Sequence, residues 1–410
     1  MKKSKIKIKE YNKEQISRNK SKNIKNKKRI KKLNRNKNYI YYKFLLIILN
    51  VIIILLLERK NNLTSRKDKI IYKNSYAEFE IMKNRFISIN DSLALSHIEQ
   101  ITILNHTFNK NYKQLKKNKN NINICVNLDG RYAYKLIVSM ESVLSNCDKQ
   151  KTFITYHILC APDVRENSLI ILKSLMKRYS SNLEMVFYGM GNNFMYLKHT
   201  RLSQVTYYRL LLALFINSDR ILYLDGDTIT YKDISVIFEL DFKDTYVLGT
   251  LDYKSDGVDY LGLKSNIYIN AGVILINLEK IRKDRKYIEL INITRNKRLE
   301  NDDQTAMNYV FYPKIGRFPI KYNVFTFYDK SDINFYLRSL RTKVNVTLIK
   351  EALYDPMIMH SVGGPKFWQN HYKRFDCSKK KDCSCDNYHC IWLSYANKTD
   401  YYQEIISSLK

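Results

Sequence analysis

Glycine and proline are scarce in this chain of 410 residues, at 11 and 5, and neither occurs between residues 58 and 118. That stretch has mixed polarity with helical periodicity around Tyr76 to Leu104, so it reads as a stem and not as a Gly- or Pro-rich linker. Acidic residues are also short, 39 against 71 Lys and Arg, for a formal net charge of +32. Such a balance invites a nucleic-acid reading. No helix-turn-helix, finger or RNA-binding signature is present, however, and Lys, Asn, Ile and Tyr are over-used everywhere without a patterned face. Nucleic acid is therefore not an expected partner. A small-residue cleavage site is missing behind the one long apolar run, which argues against a cleaved signal peptide.

Residues 1–38 form a Lys/Asn/Ile tract with 17 Lys and Arg against Glu10 and Glu14, and no hydrophobic period, so a disordered basic tail is expected. The composition then flips. Tyr39 to Leu57 is apolar apart from Lys43 and Asn50 and is just long enough to span a bilayer at roughly 1.5 Å per residue. The excess of cations before this run predicts a cytosolic N-terminus and a type II, signal-anchored layout, with the remainder in the Golgi or endoplasmic reticulum lumen. Six Asn-x-Ser/Thr sequons that follow the apolar run, at Asn62, Asn90, Asn105, Asn292, Asn345 and Asn397, are consistent with that placement. The expected division is a tail at 1–38, an anchor at 39–57, a stem at 58–118, an α/β domain at 119–375 and a Cys-rich segment at 376–410.

From Asn121 the pattern alternates. Strands are expected over Asn121–Leu128, Thr152–Cys160 and Leu183–Tyr188. Helices are expected over Tyr134–Leu144, Ser168–Tyr179 and Tyr207–Phe215. Alternation of this kind means a parallel sheet with crossover helices. Ile221 to Leu224 is a further buried strand, and it stops at Asp225-Gly226-Asp227, the only Asp-x-Asp in the chain. Residues i and i+2 of extended chain point the same way, so both carboxylates can hold one divalent ion at a strand's C-terminal end, where ligands of open α/β sheets collect.

The order of blocks from about Asn121 to Trp368 resembles glycosyltransferase family 8, which implies a GT-A, Rossmann-like nucleotide-binding domain with a mixed central sheet. Asp129 and Tyr132 resemble the family's uridine-binding turn, although Gly130 and Arg131 replace the acidic or amide residues common there. Thr206-Tyr207-Tyr208-Arg209 is similar to the Tyr-Tyr-Arg block whose Arg contacts the donor. Tyr268-Ile-Asn-Ala-Gly-Val is similar to the strand beside the donor sugar, which places Asn270 there. Asn301-Asp-Asp-Gln304, read as a polar turn before an apolar helix, resembles the Asp-Gln pair that binds the sugar. His360-Ser-Val-Gly-Gly-Pro-Lys366 resembles the block that completes the metal site and grips the diphosphate.

The resemblance implies a retaining transferase that moves a hexose, glucose or galactose, from a UDP-sugar to a glycan, glycoprotein or glycolipid. Asp225, Asp227 and His360 would hold Mn²⁺ or Mg²⁺, with Mn²⁺ favoured by the imidazole. Asp129, Tyr132, Asn270, Gly363 and Lys366 would bind the donor, and Arg209, Asp303 and Gln304 would act at the sugar. A nucleotide-sugar hydrolase and a membrane-anchored binder without transfer activity are the rival readings. Cys377, Cys383, Cys385 and Cys390 lie close together, and in an oxidising lumen they favour disulfides over zinc.

Overall fold

The alternating pattern that begins near Asn121 builds the centre of a mixed sheet. In the computed structural model, which describes residues 98–409 apart from 198–202, 253–261, 264–266, 297–298, 300, 327–344, 364–365 and 370–387, eleven strands are assigned. They are β1 (Thr102–Thr107), β2 (Asn120–Leu128), β3 (Thr152–Cys160), β4 (Leu183–Gly189), β5 (Arg220–Leu224), β6 (Thr228–Thr230), β7 (Val247–Leu251), β8 (Ile269–Asn277), β9 (Ile315–Arg317), β10 (Val324–Phe325) and β11 (Ile358–His360). Eight form one sheet in the order β1-β4-β3-β2-β5-β8-β7-β9, and three form a small sheet in the order β10-β11-β6.

Strands β4, β3, β2 and β5 run parallel, as the sequence predicts. Strand β8 is then inserted antiparallel between β5 and β7. This reversal makes the sheet mixed, and it positions the site: the start of β8 lies beside the ends of β5 and β7.

The period of two explains why the sheet is covered on both faces. On β2, β3 and β5, Ile122, Ile124, Val126, Ile154, Tyr156, Ile158, Leu222 and Leu224 belong to one core, with Leu136, Ile137, Met140 and Val143 of the helix Ala133–Asn146. Cys125, Leu159, Ile221 and Tyr223 belong to the other, with Tyr208, Leu211, Ile291 and Phe311. Each such side chain, fully withdrawn from water, contributes about 1.5–3 kcal/mol before the entropy of ordering is counted. Strand β3 is buried along all nine residues, so a charge placed there would have no exposed face.

Several expectations change. The sheet starts at β1, inside the stretch expected to be the stem, because β1 pairs antiparallel with the edge of β4. An edge strand with only partial burial has little apolar alternation to betray it. The helix expected over Ser168–Tyr179 is two, Glu166–Lys173 and Met176–Tyr179. Tyr207–Phe215 is mostly a 3₁₀ coil, Gln204–Leu211, with only Leu212–Phe215 α-helical. The end of the chain is not a separate segment either. Helices Tyr388–Ala396 and Tyr402–Ser407 contribute Trp392, Tyr395, Ala396 and Ile405 to the first core, and Tyr395 Oη meets Asn146 Nδ2 at 2.8 Å.

The tail, Tyr39–Leu57 and most of the expected stem lie outside the described residues, as do Cys377, Cys383 and Cys385, so the anchor and the disulfide expectation do too. Among the described residues, no helix is long and apolar enough to cross a membrane. Cys125, Cys147 and Cys160 are buried thiols, and burial pushes the Cys160 thiol up to about 12.

The junction of β1 with the sheet is held by a buried acid. Glu184 on β4 accepts from Thr155 Oγ1 at 3.0 Å, lies 2.6 Å from His106 Nε2 and pairs with Lys116. Burial alone would raise its carboxyl, but the bonds from His106 and Lys116 outweigh it and hold the group at about 2, below the ordinary 4.5. A depressed carboxylate pKa contributes stability that is present above the unfolded value and lost as pH falls toward the folded one. Replacing Glu184 by Ala should lower the unfolding free energy at neutral pH by about 3 kcal/mol, because His106 and Lys116 lose their buried partner. Urea titrations at neutral and acidic pH check this: the parent should lose stability below about pH 4.5 more steeply than Glu184→Ala.

Candidate active site

Four strand ends supply the site. The turn after β2 carries Asp129 to Tyr132, Asp225 directly follows β5, Asp252 directly follows β7, and Asn270 to Gly272 lie near the start of β8. Asp225 N–H donates to Gly272 O at 2.8 Å, so the Asp-Gly-Asp turn leaves the strand already fixed to β8. The small sheet brings in the last element, since β6 directly follows Asp227 and pairs with β11, setting Thr228 opposite His360.

His360 Nε2 lies 3.3 Å from Asp227 Oδ1 and 3.6 Å from Asp225 Oδ2. One ligand atom from each of the three residues falls within 4.8 Å of the others. They are the expected metal ligands, brought together across 135 residues of sequence. Two carboxylate oxygens and an imidazole nitrogen on one point are a donor set that fits a divalent ion with borderline preference, such as Mn²⁺. Position 272 permits this closeness. A Cβ there would stand 2.7 Å from Asp225 Oδ2 and 2.8 Å from His360 Nδ1, and closer still to His360 Cε1.

The donor-side residues surround this point. Lys366 Nζ lies 2.5 Å from Asp227 Oδ2 and donates to Ser361 O at 2.6 Å. Burial would raise the Asp227 carboxyl, but His360 when its ring is protonated, and the Lys366 ammonium, hold it well below the usual range. Gly363 has a φ of +74°, a left-handed conformation that only glycine adopts without strain, in the loop that leads to Lys366. The Tyr132 ring fills the space over Gly226, where a Cβ would meet Tyr132 Cε1 at 2.5 Å, and its edge packs on Trp368 at 5.6 Å. Burial and the charges of Asp227, Asp225 and Asp129 all push the Tyr132 phenol up, which keeps it a protonated donor. Asp129 Oδ1 accepts from Arg131 N at 3.0 Å within its own turn.

The sugar-side residues are bonded to one another and to the backbone. Arg209 is only 4% exposed and its donors are committed to protein. It pairs with Asp303 Oδ2 at 2.8 Å and Asp225 Oδ1 at 3.3 Å, donates to Thr206 O and Ala271 O, and lies over the Tyr223 ring at 3.9 Å. Its guanidinium turns back along its own 3₁₀ coil, Nε donating to Thr206 O three residues earlier. Arg209 therefore ties Asp225 to Asp303. Asp303 is equally buried, and burial pushes its carboxyl up to about 6 against the pull of Arg209.

Asp303 and Gln304 do not form a separate turn but the first turn of the helix Asp302–Phe311. Gln304 stays half-buried, accepting from Ala271 N at 2.9 Å and donating to Asp252 Oδ2 at 2.9 Å. Asn270 joins the same cluster. Sequence reasoning missed Asp252, Gly272 and Asn323, whose Oδ1 faces His360 Nδ1 at 3.1 Å. Gly272 carried a signal, because a lone glycine inside a strand marks close approach of another group. Asp252 and Asn323 carried none that spacing could show.

A model of glycosyl transferase family 8 matches residues 123–371. The chain is 28% identical over 270 residues to a putative glycosyltransferase of Haemophilus influenzae, covering 62% of this chain and 76% of that one. It is 26% identical over 269 residues to a lipopolysaccharide 1,2-glucosyltransferase of Escherichia coli, covering 60% and 73%. The solved structure of the galactosyltransferase LgtC, in complex with donor and acceptor sugar analogs, shares the fold at a TM-score of 0.52 and 20% identity, over 69% of this chain and all of that one.

Gly272→Ala should displace the imidazole from the carboxylates and lower divalent-cation affinity by about tenfold or more, as loss of a ligand's support does elsewhere. Calorimetric titration with Mn²⁺ checks it, and unchanged affinity would mean that His360 is not needed at that point.

Proposed function

Because the chain belongs to glycosyl transferase family 8, as a hexosyltransferase of the GT-A fold, we propose that it moves glucose or galactose from a UDP-sugar to a glycan, glycoprotein or glycolipid hydroxyl with retention of configuration. The observation that carries this reading is the convergence of Asp225, Asp227 and His360 at the strand ends. A divalent cation held there, Mn²⁺ or Mg²⁺, would supply positive charge for the departing diphosphate. Lys366 adds a second cation beside Asp227, and Gly363 leaves its loop free of a side chain where the phosphates pass. Tyr132 and Asp129 flank the uridine side.

On the sugar side, Asn270, Gln304 and Asp252 form a polar cluster that can hold hydroxyls and set the anomeric carbon. Arg209 fixes that cluster's helix to the metal side through Asp303 and Asp225. Among the described residues, no pair of carboxylates with the spacing and exposure of a glycosidase faces the site, and Asp303 is buried and paired with Arg209. This favours same-face attack by the acceptor hydroxyl, with the leaving phosphate taking its proton. The anchor at Tyr39–Leu57 and the placement in the Golgi or endoplasmic reticulum lumen belong to the same proposal and rest on the sequence. Protease protection of a C-terminal reporter is expected, and protection of an N-terminal one instead would overturn that layout.

With an α-linked UDP-hexose and Mn²⁺, the product should be α-linked by NMR, and a β-linked product would end the retaining assignment. In the same assay, Asp227→Asn and His360→Ala should lower turnover by orders of magnitude. Gln304→Ala should abolish most transfer while calorimetric UDP affinity in Mn²⁺ stays near the parent's. Asp303→Ala should lower both, since it leaves the Arg209 cation unbalanced beside Asp225.

A further inference from the structure

We propose that Asn323 is a positioning residue that fixes the His360 imidazole in the tautomer whose Nε2 is bare and turned on Asp225 and Asp227. The inference deepens the metal-site reading and depends on it for its functional meaning. Asn323 is fully buried at the end of the 3₁₀ turn Ile320–Tyr322, just before β10. Strand β10 is the parallel neighbour of β11, with Phe325 opposite His360, so the fold sets the Asn323 amide beside the imidazole.

The direction of each bond in this chain follows from a fixed donor. The Gly272 backbone N–H can only donate, and it lies 3.0 Å from Asn270 Oδ1. The other end of the Asn270 amide, Nδ2, faces the Asp252 carboxylate oxygen Oδ2 at 3.3 Å, which accepts. A backbone donor and a carboxylate thus orient Asn270 independently. Asn323 Nδ2 donates to the same Asn270 Oδ1 at 3.0 Å. Turned over, the Asn323 amide would press two carbonyl oxygens together in a site shut off from water, at a cost of the order of a lost buried hydrogen bond.

Asn323 Oδ1 therefore faces His360 Nδ1, at 3.1 Å. An amide oxygen only accepts, so Nδ1 holds a proton, and in the neutral ring Nε2 then presents its lone pair at 3.3 Å from Asp227 and 3.6 Å from Asp225. The ligand is set before any ion arrives. The relay begins in the Asn-Ala-Gly strand and shares Asn270 with the sugar-side cluster of Gln304 and Asp252. A group that orients a histidine ligand through its other nitrogen is typically worth 10–100-fold in metal affinity.

Two measurements on the metal-free protein and one with metal test this. The ¹⁵N–¹H correlation spectrum of histidine-labelled parent protein, at a pH where the His360 ring is neutral, should place its proton on Nδ1. A proton on Nε2 overturns the proposal. Asn323→Leu, with the same branching and number of side-chain heavy atoms but without an acceptor, should keep the parent's circular dichroism yet lose that tautomer preference. Its affinity for Mn²⁺, read by electron paramagnetic resonance of the free ion, should fall about 10–100-fold. Asn323→Leu binding Mn²⁺ as the parent does, while His360→Ala binds weakly, would overturn the role of Asn323 alone. If His360→Ala also bound as the parent does, the metal-site reading would fall first.

Discussion

The imidazole of His360 can lie against two carboxylates only because position 272 has no side chain. This one steric permission joins the two sheets functionally. The large sheet contributes Asp225 from the end of β5 and Gly272 from the start of β8, and the small sheet contributes His360 through its pairing with the strand that follows Asp227. Any side chain at 272 would push β11 away from the Asp-Gly-Asp turn. The antiparallel insertion of β8 is what puts the glycine there, so this departure from a parallel sheet is also a feature that assembles the site.

Around that point the site is a set of shared charges. Asp225 is held by Arg209 and by the Tyr223 hydroxyl, Asp227 by Lys366, and Asp303 by Arg209 on the far side. Arg209 thereby links the carboxylate turn to the helix that carries Gln304. Two regions that look independent along the chain are coupled through one buried guanidinium. Substituting on one side leaves a buried charge without its partner on the other, which typically costs more than the ion pair itself contributes.

Much of this was legible in the sequence. The parallel strands announced themselves through apolar runs and β-branched residues, and Asp225, Asp227 and His360 could be matched to family blocks in order. What escaped had physical reasons. Edge strand β1 buries too little to alternate clearly. The burial of Arg209 goes with long-range pairing to Asp225 and Asp303, which apolar spacing does not show. Asp303 and Gln304 looked like a polar turn because Asn301 to Gln304 is an unbroken polar run, although it holds the N-cap and first turn of the helix Asp302–Phe311. Asn323 and Asp252 act through long-range contacts that no local pattern records.

The central claim is that one ion is held by the two aspartates and His360 while it receives the UDP diphosphate. Electron–nuclear double resonance on the Mn²⁺ complex with UDP, using protein labelled with ¹⁵N in histidine, tests it most directly. The account predicts a single ¹⁵N coupling together with ³¹P couplings, the nitrogen signal vanishing in His360→Ala. Phosphorus couplings without any histidine nitrogen in the parent protein would contradict it.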